Sequence, residues 1–203
     1  MLNEVGDMML NIISCGMIMK EVEFVLTEIG LSDEVAFLDH GVHNFERLET
    51  NLTEQINKKK EANNKPTIVI IGQACHPEMT SLLDQHSIVG LHAANCFEAL
   101  LGSEKELLDK ESNTFYMTSG WFDHWEEIFE SSGWTEVDAR LNMGFGDRVL
   151  LLDTGLIEIT DEKILKLFDI IQVPIEIKQV NLDHLKKLIV EAVERAKITR
   201  ADA

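Results

Sequence analysis

Residues 68–79 read IVIIGQACHPEM and contain a complete transition from strand to helix. The run IVII is apolar and β-branched, which is typical of a strand buried on both faces. Pro77 suits the first position of a helix, and Glu78 complements the positive N-terminal end of the helix dipole. A thiol and an imidazole, Cys75 and His76, lie at the joint between the two elements.

The other two cysteines of the chain occupy joints of the same kind. Cys15 directly follows the apolar run NIIS and precedes a segment with helical spacing. Cys96 follows a run with a weaker strand signal. Asn95, directly before it, is a good helix N-cap, and Glu98 three residues later matches a capping box. All three cysteines are therefore predicted to lie in strand-to-helix turns.

Short apolar runs alternate with helical spacings along the whole chain. Strands are predicted at 10–14, 35–38, 67–71, 88–92, 114–118, 149–152 and 173–177, the last at a sheet edge because of its proline. Nearly continuous apolar strands favour a mostly parallel sheet between helix layers. We therefore predict one α/β domain over residues 9–203, three-layered and Rossmann-like with helices on both faces, after a flexible extension at 1–8. The pattern does not determine strand order.

Composition and charge exclude several classes of function. The 203 residues carry a net charge of −18, which argues against nucleic acid, because binding nucleic acid needs clustered lysine and arginine. No apolar stretch approaches the roughly 20 residues of a membrane span. The N-terminus lacks a basic signal region, and three cysteines do not pair fully, so a cytoplasmic protein without a disulfide framework is expected. The sequence does not decide whether the chain forms a homo-oligomer.

The three cysteines suggest a site at one edge of the sheet. In a parallel sheet all strand-to-helix turns lie at the carboxyl edge, so Cys15, Cys75 and Cys96 meet there if their strands are neighbours. Helix N-termini lower thiol pKa values, and close thiolates repel one another, so a bound cation is expected. Zinc and an iron–sulfur cluster both fit three thiolates. The alternative is that the cysteines are inert apolar residues.

Seven further residues are candidates for the same site. Histidines at the predicted edge would serve as a fourth ligand or as a hydrogen-bonding partner of a ligand, and acidic, amide and aromatic residues there would contact a substrate. The histidine candidates are His40, His43 and His76, and the substrate candidates are Glu78, Asn95, Trp121 and Asp153. Each also has a structural explanation, as a turn or helix cap or, for Trp121, as part of a core stripe with Trp125 and Phe129.

Four segments together resemble a family of unknown function, the domain numbered 1638. They are ISCG at 13–16, GQACHPEM at 72–79, NCFEALLG at 95–102 and TFYMTSGW at 114–121, and the similarity extends from about Met9 onward. The family is familiar from methanogenic archaea and some anaerobic bacteria. The resemblance implies an anaerobic setting of one-carbon metabolism and an association with corrinoid-dependent methyl transfer, and it implies no catalytic residue.

Three functional hypotheses follow. The first is a metal-dependent protein, with zinc or an iron–sulfur cluster, that acts in methyl or one-carbon metabolism; if it is a methyltransferase, the metal holds an acceptor thiolate. The second is a non-catalytic module that binds a corrinoid or a corrinoid methyltransferase partner. The third is a metal-free thiol enzyme with Cys75 as its nucleophile. The substrate and any small-molecule partner are left open.

Overall fold

The predicted strands all form, and they are divided between two parallel sheets. The computed structural model of the chain describes residues 9–31, 34–39, 45–63 and 65–201, so the extension predicted at 1–8 lies outside the described residues. The strands are β1 Asn11–Cys15, β2 Val35–Leu38, β3 Thr67–Ile70, β4 Val89–Gly90, β5 Thr114–Thr118, β6 Arg148–Asp153 and β7 Ile175–Gln179. The first sheet has the order β2-β1-β3-β4 and the second β5-β6-β7, with every pairing parallel. β7 is an edge strand, as its preceding proline predicted.

Helices connect the strands throughout the described part of the chain. They are α1 Met19–Glu28, α2 Phe45–Ala62, α3 Met79–Gln85, α4 Cys96–Leu101, α5 Glu104–Glu111, α6 Ser119–Asp123, α7 Trp125–Ser131, α8 Glu136–Met143, α9 Asp161–Ile171 and α10 Asp183–Ala201. The aromatic stripe Trp121, Trp125 and Phe129 is divided between two helices, α6 and α7. They are separated at His124, whose dihedral angles of −112° and 17° depart from helical values.

The apolar residues of the first sheet alternate between two cores. Ile12 and Ile68 pack with residues of α1, α4 and α10, whereas Ile13 and Val69 pack with residues of α2 and α3. All four side chains are fully buried. The first sheet is therefore covered by helices on both faces, as its continuous apolar strands predicted.

The second sheet shares one of these cores with the first. Leu150 and Leu152 of β6 belong to the same buried cluster as Ile12, whereas Val149 and Leu151 face a cluster formed with α6, α7, α8 and α9. α10 contacts β3, β4 and α4, and α4 contacts β5. The helices α1, α4 and α10 thus form a central layer between two sheets. The α/β class is confirmed, and the division into two sheets is what the sequence pattern did not specify.

The two sheets meet where β1 and β5 end. A 3₁₀ turn, Gly16–Ile18, follows β1 and packs against the start of α6. Thr118 Oγ1 donates a hydrogen bond to Met17 O at 3.0 Å, and a Cβ on Gly120 would lie 2.4 Å from the same oxygen. Gly120 is therefore required for this close approach of the two backbones.

None of the helices in the described ranges combines the length and the apolar composition that a membrane-spanning helix needs.

Candidate functional site

The strand order brings the three cysteines to one place. β1, β3 and β4 are consecutive neighbours in the first sheet. Cys15 is the last residue of β1, Cys75 ends the 3₁₀ turn that follows β3, and Cys96 is the first residue of α4, after β4. All three line a single cavity. The three cysteines thus share one cavity at the carboxyl edge, and their role as a joint metal site stays a prediction.

The cavity has a volume of about 270 Å³ and is mainly apolar. One wall comes from the carboxyl edge of the first sheet, and another comes from Trp121 in α6, so both sheets contribute to it. Besides the cysteines, its described lining includes Met17, Ile18, Leu38, Asp39, Phe45, Leu48, Ile70, Ile71, Gly72, Ala74, Leu91, Ala93, Asn95, Phe97, Ala99 and Trp121. Such a cavity suits a small ligand, since it lies just below the ~300 Å³ at which pockets for drug-sized molecules begin.

Backbone contacts hold the turns that carry Cys75 and Cys96 against each other. Ala74 donates its N–H to Ala94 O at 2.8 Å, and a Cβ on Gly72 would lie 2.4 Å from that oxygen. Asn95 accepts from Glu98 N at 3.0 Å and so caps α4, as predicted. The Glu98 carboxylate accepts from Ala94 N at 2.8 Å rather than from the cap residue itself. The cysteine positions are therefore fixed by main-chain geometry.

Burial raises the pKa of all three thiols. The pKa of Cys15 rises to about 11, chiefly because burial removes hydration from the thiolate. A backbone hydrogen bond with Met17 opposes this rise, and a still smaller repulsion from Cys75 adds to it. Burial and repulsion from Cys15 and Cys75 raise the pKa of Cys96 well above its usual value. Burial also raises the pKa of Cys75. The expectation that helix N-termini would favour thiolates is wrong, because lost hydration outweighs the N–H groups.

The thiols interact but do not form a finished ligand set. Within the described residues, no group of three or more His, Cys, Asp or Glu side chains is arranged so that it could hold a metal ion. The same three side chains nevertheless line one cavity and, as thiolates, repel one another. The sulfurs are thus close enough to interact electrostatically without forming a ready metal site.

His76 lies outside the cavity lining. Its Nδ1 accepts a hydrogen bond from Glu78 N at 3.1 Å, and its Nε2 lies 3.7 Å from a carboxylate oxygen of Glu49. The buried imidazole also meets Phe45 edge-on, with ring centroids 5.7 Å apart. Both nitrogens thus face partners other than the thiols. His40 and His43 lie outside the described residues.

The four predicted substrate contacts separate into two groups. Asn95 and Trp121 line the cavity with the cysteines. The exposed Glu78 precedes α3 and does not line the cavity in the described structure. Asp153 lies at the end of β6 in the second sheet, where it accepts hydrogen bonds from Gly155 N and Gln179 Nε2. Turn formation accounts for Asp153.

Sequence reasoning missed two kinds of residue. Phe45 and Phe97 line the cavity, although the sequence analysis gave them no role in the site. Asp39 also lines it and follows β2, the neighbour of β1, where a carboxylate is placed to contact a ligand or to cap a turn. The buried Glu21 was also missed, although it stands at the helical spacing of Ile18 and Val25 on the apolar side of α1.

Glu21 closes the carboxyl edge of the second sheet. Its Oε1 accepts hydrogen bonds from Ser119 Oγ at 2.7 Å and from Thr154 Oγ1 at 2.8 Å. Its Oε2 is buried and has no hydrogen-bond partner among the described residues. These contacts join α1, α6 and the turn after β6 across the interface of the two sheets.

Comparison with known proteins yields a family but no close relative. Neither the curated proteins nor the solved structures contain a match. A family profile matches residues 37–189, which include Cys75 and Cys96 and begin after Cys15. That range is well over half of the chain and is narrower than the resemblance expected from Met9 onward. The chain belongs to the family described as a protein of unknown function, DUF1638.

Proposed function

We propose that the protein binds a thiophilic metal through Cys15, Cys75 and Cys96 and acts in methyl or one-carbon metabolism, with methyl transfer to a thiol as its reaction. The observation that carries this proposal is the convergence of the only three cysteines, from three neighbouring strand ends, on one cavity. The three cysteines lie much farther apart in the sequence than the paired ligands of a short zinc finger. The fold itself therefore brings the donors together.

The electrostatics of the thiols supports a cation. Burial and mutual repulsion keep the thiols protonated, since the pKa of each is raised. A metal ion reverses this balance, because its charge compensates for the lost hydration and for the repulsion between neighbouring thiolates. Metal binding at this site therefore releases protons.

The donor set suits zinc or an iron–sulfur cluster. Both take thiolate ligands, and both accommodate three cysteines with one further position. Metal binding therefore requires the three thiols to move toward a common centre, since they form no ready ligand group among the described residues. Asp39 is the only carboxylate among the described lining residues and would supply an oxygen ligand. His40 and His43 follow it directly in the chain. Bound zinc would lower the pKa of an acceptor thiol and so prepare it for methylation.

The two alternatives receive less support. A cavity of about 270 Å³ is far smaller than a corrinoid, so a corrinoid would have to bind elsewhere or belong to a partner protein. A Cys75 nucleophile without a metal needs a lowered pKa, whereas burial raises that of Cys75.

Metal analysis after anaerobic purification tests the proposal. We expect one zinc ion per chain, or the visible absorption of a cluster, together with proton release on metal addition. Cys15→Ser, Cys75→Ser and Cys96→Ser should each weaken binding by at least ~10-fold in competition with a chelator. Met17→Leu is the matched control, because it changes the same cavity without removing a thiol. Colourless protein without stoichiometric metal, or undiminished binding in the serine variants, would overturn the proposal.

A further inference from the structure

We infer that the cysteine cavity binds a small methylated onium ion, a quaternary ammonium or a sulfonium, through its aromatic and acidic lining. The inference rests on the proposal that this cavity is the functional site, and it names the class of ligand that the cavity would accept. It draws on the lining other than the three thiols.

Three aromatic side chains line the cavity: Phe45, Phe97 and Trp121. Each of them packs against another ring, Phe45 against the His76 imidazole at a centroid distance of 5.7 Å. The Trp121 ring packs edge-on against Phe115 at a centroid distance of 5.9 Å, and the Phe97 ring packs against Tyr116 at 5.6 Å. Aromatic rings attract cations through their negative faces, and cages of such rings are the usual recognition element for quaternary ammonium groups.

The charges of the lining also favour a cation. Asp39 is the only charged side chain in the described lining, which contains no lysine, arginine or histidine. The net charge of −18 draws cations to the protein from a distance. An anionic ligand would meet no positive side chain among the described residues of this cavity.

The apolar character of the cavity selects among cations. Most of the remaining lining consists of aliphatic side chains, including Ile18, Leu38, Leu48 and Leu91. A primary ammonium ion would lose hydrogen bonds to water that these side chains cannot replace. A methylated onium centre has no N–H or S–H donor, so it loses no donated hydrogen bonds when it is buried, and the aromatic faces offset part of its lost hydration. A volume of about 270 Å³ limits the ligand to a small one.

Titration calorimetry with an isosteric pair tests the inference on the full chain. Choline and 3,3-dimethyl-1-butanol have nearly the same shape, but only choline carries a charge. We expect choline to bind at least ~5-fold more tightly than the alcohol. Equal affinities would show an apolar cavity without cation selectivity, and they would overturn the inference, as would the absence of binding by both compounds.

Two variants on the exposed side of the cavity identify the residues responsible. Asp39→Asn and Phe45→Leu should each weaken choline binding by ~3-fold or more and leave the affinity for the alcohol nearly unchanged. Both positions are exposed, so the fold should tolerate the changes. Phe24→Leu is the control, because Phe24 is an exposed aromatic residue that does not line the cavity. Unchanged choline binding in both variants would also overturn the inference.

The outcome is separable from that of the proposed function. Stoichiometric metal that depends on the cysteines, together with equal binding of choline and the alcohol, would contradict the ligand class alone. Selective choline binding in protein that takes up no metal would contradict the metal site alone.

Discussion

The carboxyl edges of the two sheets occupy equivalent topological positions but differ in content. The first edge carries small residues, such as Gly72 and Ala74, and leaves a cavity lined by three thiols. The second edge is closed by Glu21, which accepts hydrogen bonds from Ser119 and Thr154. Ligands of parallel α/β sheets bind at the carboxyl edge, so either edge was a candidate. Position indicates where a site can form, and the local side chains decide whether a cavity remains.

The largest effect should come from Gly120→Ala, which tests the junction of the two edges. The added Cβ would lie 2.4 Å from Met17 O, a backbone atom that has no rotamer to change. We expect the free energy of unfolding to fall by about 3 kcal/mol, as in strongly overpacked cores. Urea denaturation measures this change. Ser132→Ala, an exposed change near the end of α7, should stay within about 0.5 kcal/mol. An unchanged unfolding midpoint for Gly120→Ala would show that the edges are not in tight contact.

A smaller effect should follow from Glu21→Ala at the closed edge. The substitution leaves the Ser119 and Thr154 hydroxyls without their acceptor, which costs about 1–3 kcal/mol of unfolding free energy. Glu21→Gln keeps an acceptor oxygen and should recover part of the loss.

The matched change at the open edge is Cys96→Ala. The substitution removes only the sulfur atom, which lies beside an existing cavity, so it creates little new void. It should lower the free energy of unfolding by less than about 1 kcal/mol. Equal losses for Glu21→Ala and Cys96→Ala would remove the energetic distinction between the two edges.

The smallest effect should be a loss of stability of the metal-free protein at alkaline pH. The pKa of Cys15 is about 11 in the folded chain and 9.0 for the ordinary thiol, so between these values the folded state holds more protons than the unfolded state. Unfolding free energy therefore falls as pH rises from 9 toward 11. Each unit by which the folded-state pKa is raised contributes at most about 1.4 kcal/mol to the free energy of unfolding, and solvent screening reduces this amount. We therefore expect the free energy of unfolding to fall by up to about 1 kcal/mol between pH 8 and 10.

Urea denaturation across this pH range, with Cys15→Ala for comparison, measures the effect. The variant should show a shallower decline, whereas Ser119→Ala at the closed edge should keep the slope of the unmodified chain. A parallel decline in the Cys15 variant would mean that another group causes it. Stability that rises with pH in this window would contradict the raised thiol pKa values.

Much of the fold was predictable because strand signals are local. The run around Ile68 and the run 149–152 are too continuously apolar to be anything but buried strands, and both are buried in the structure. The helix cap Asn95 also acts where predicted. The division between two sheets was not predictable, because it depends on which strands pair, and β1 and β3 pair across 56 residues of chain.

The candidate site was predictable in part for a similar reason. Cys15, Cys75 and Cys96 share a cavity because a parallel sheet places all its strand-to-helix turns at one edge. The pKa direction was predicted wrongly, because a helix position is visible in sequence and the loss of hydration is not. His76 follows Cys75 directly, but its ring turns toward Glu49 in α2.

The sequence by itself determined the alternation of strands and helices, the strongly negative net charge and the presence of a cysteine at each of three turns. These properties are encoded in neighbouring residues and in composition. Only the tertiary structure decided that β1, β3 and β4 are neighbours, that Trp121 from the second sheet completes the cavity, and that Glu21 closes the other edge. The physical reason is that burial and proximity depend on how distant segments pack, and that packing sets the cavity, the hydration of the thiols and their mutual repulsion.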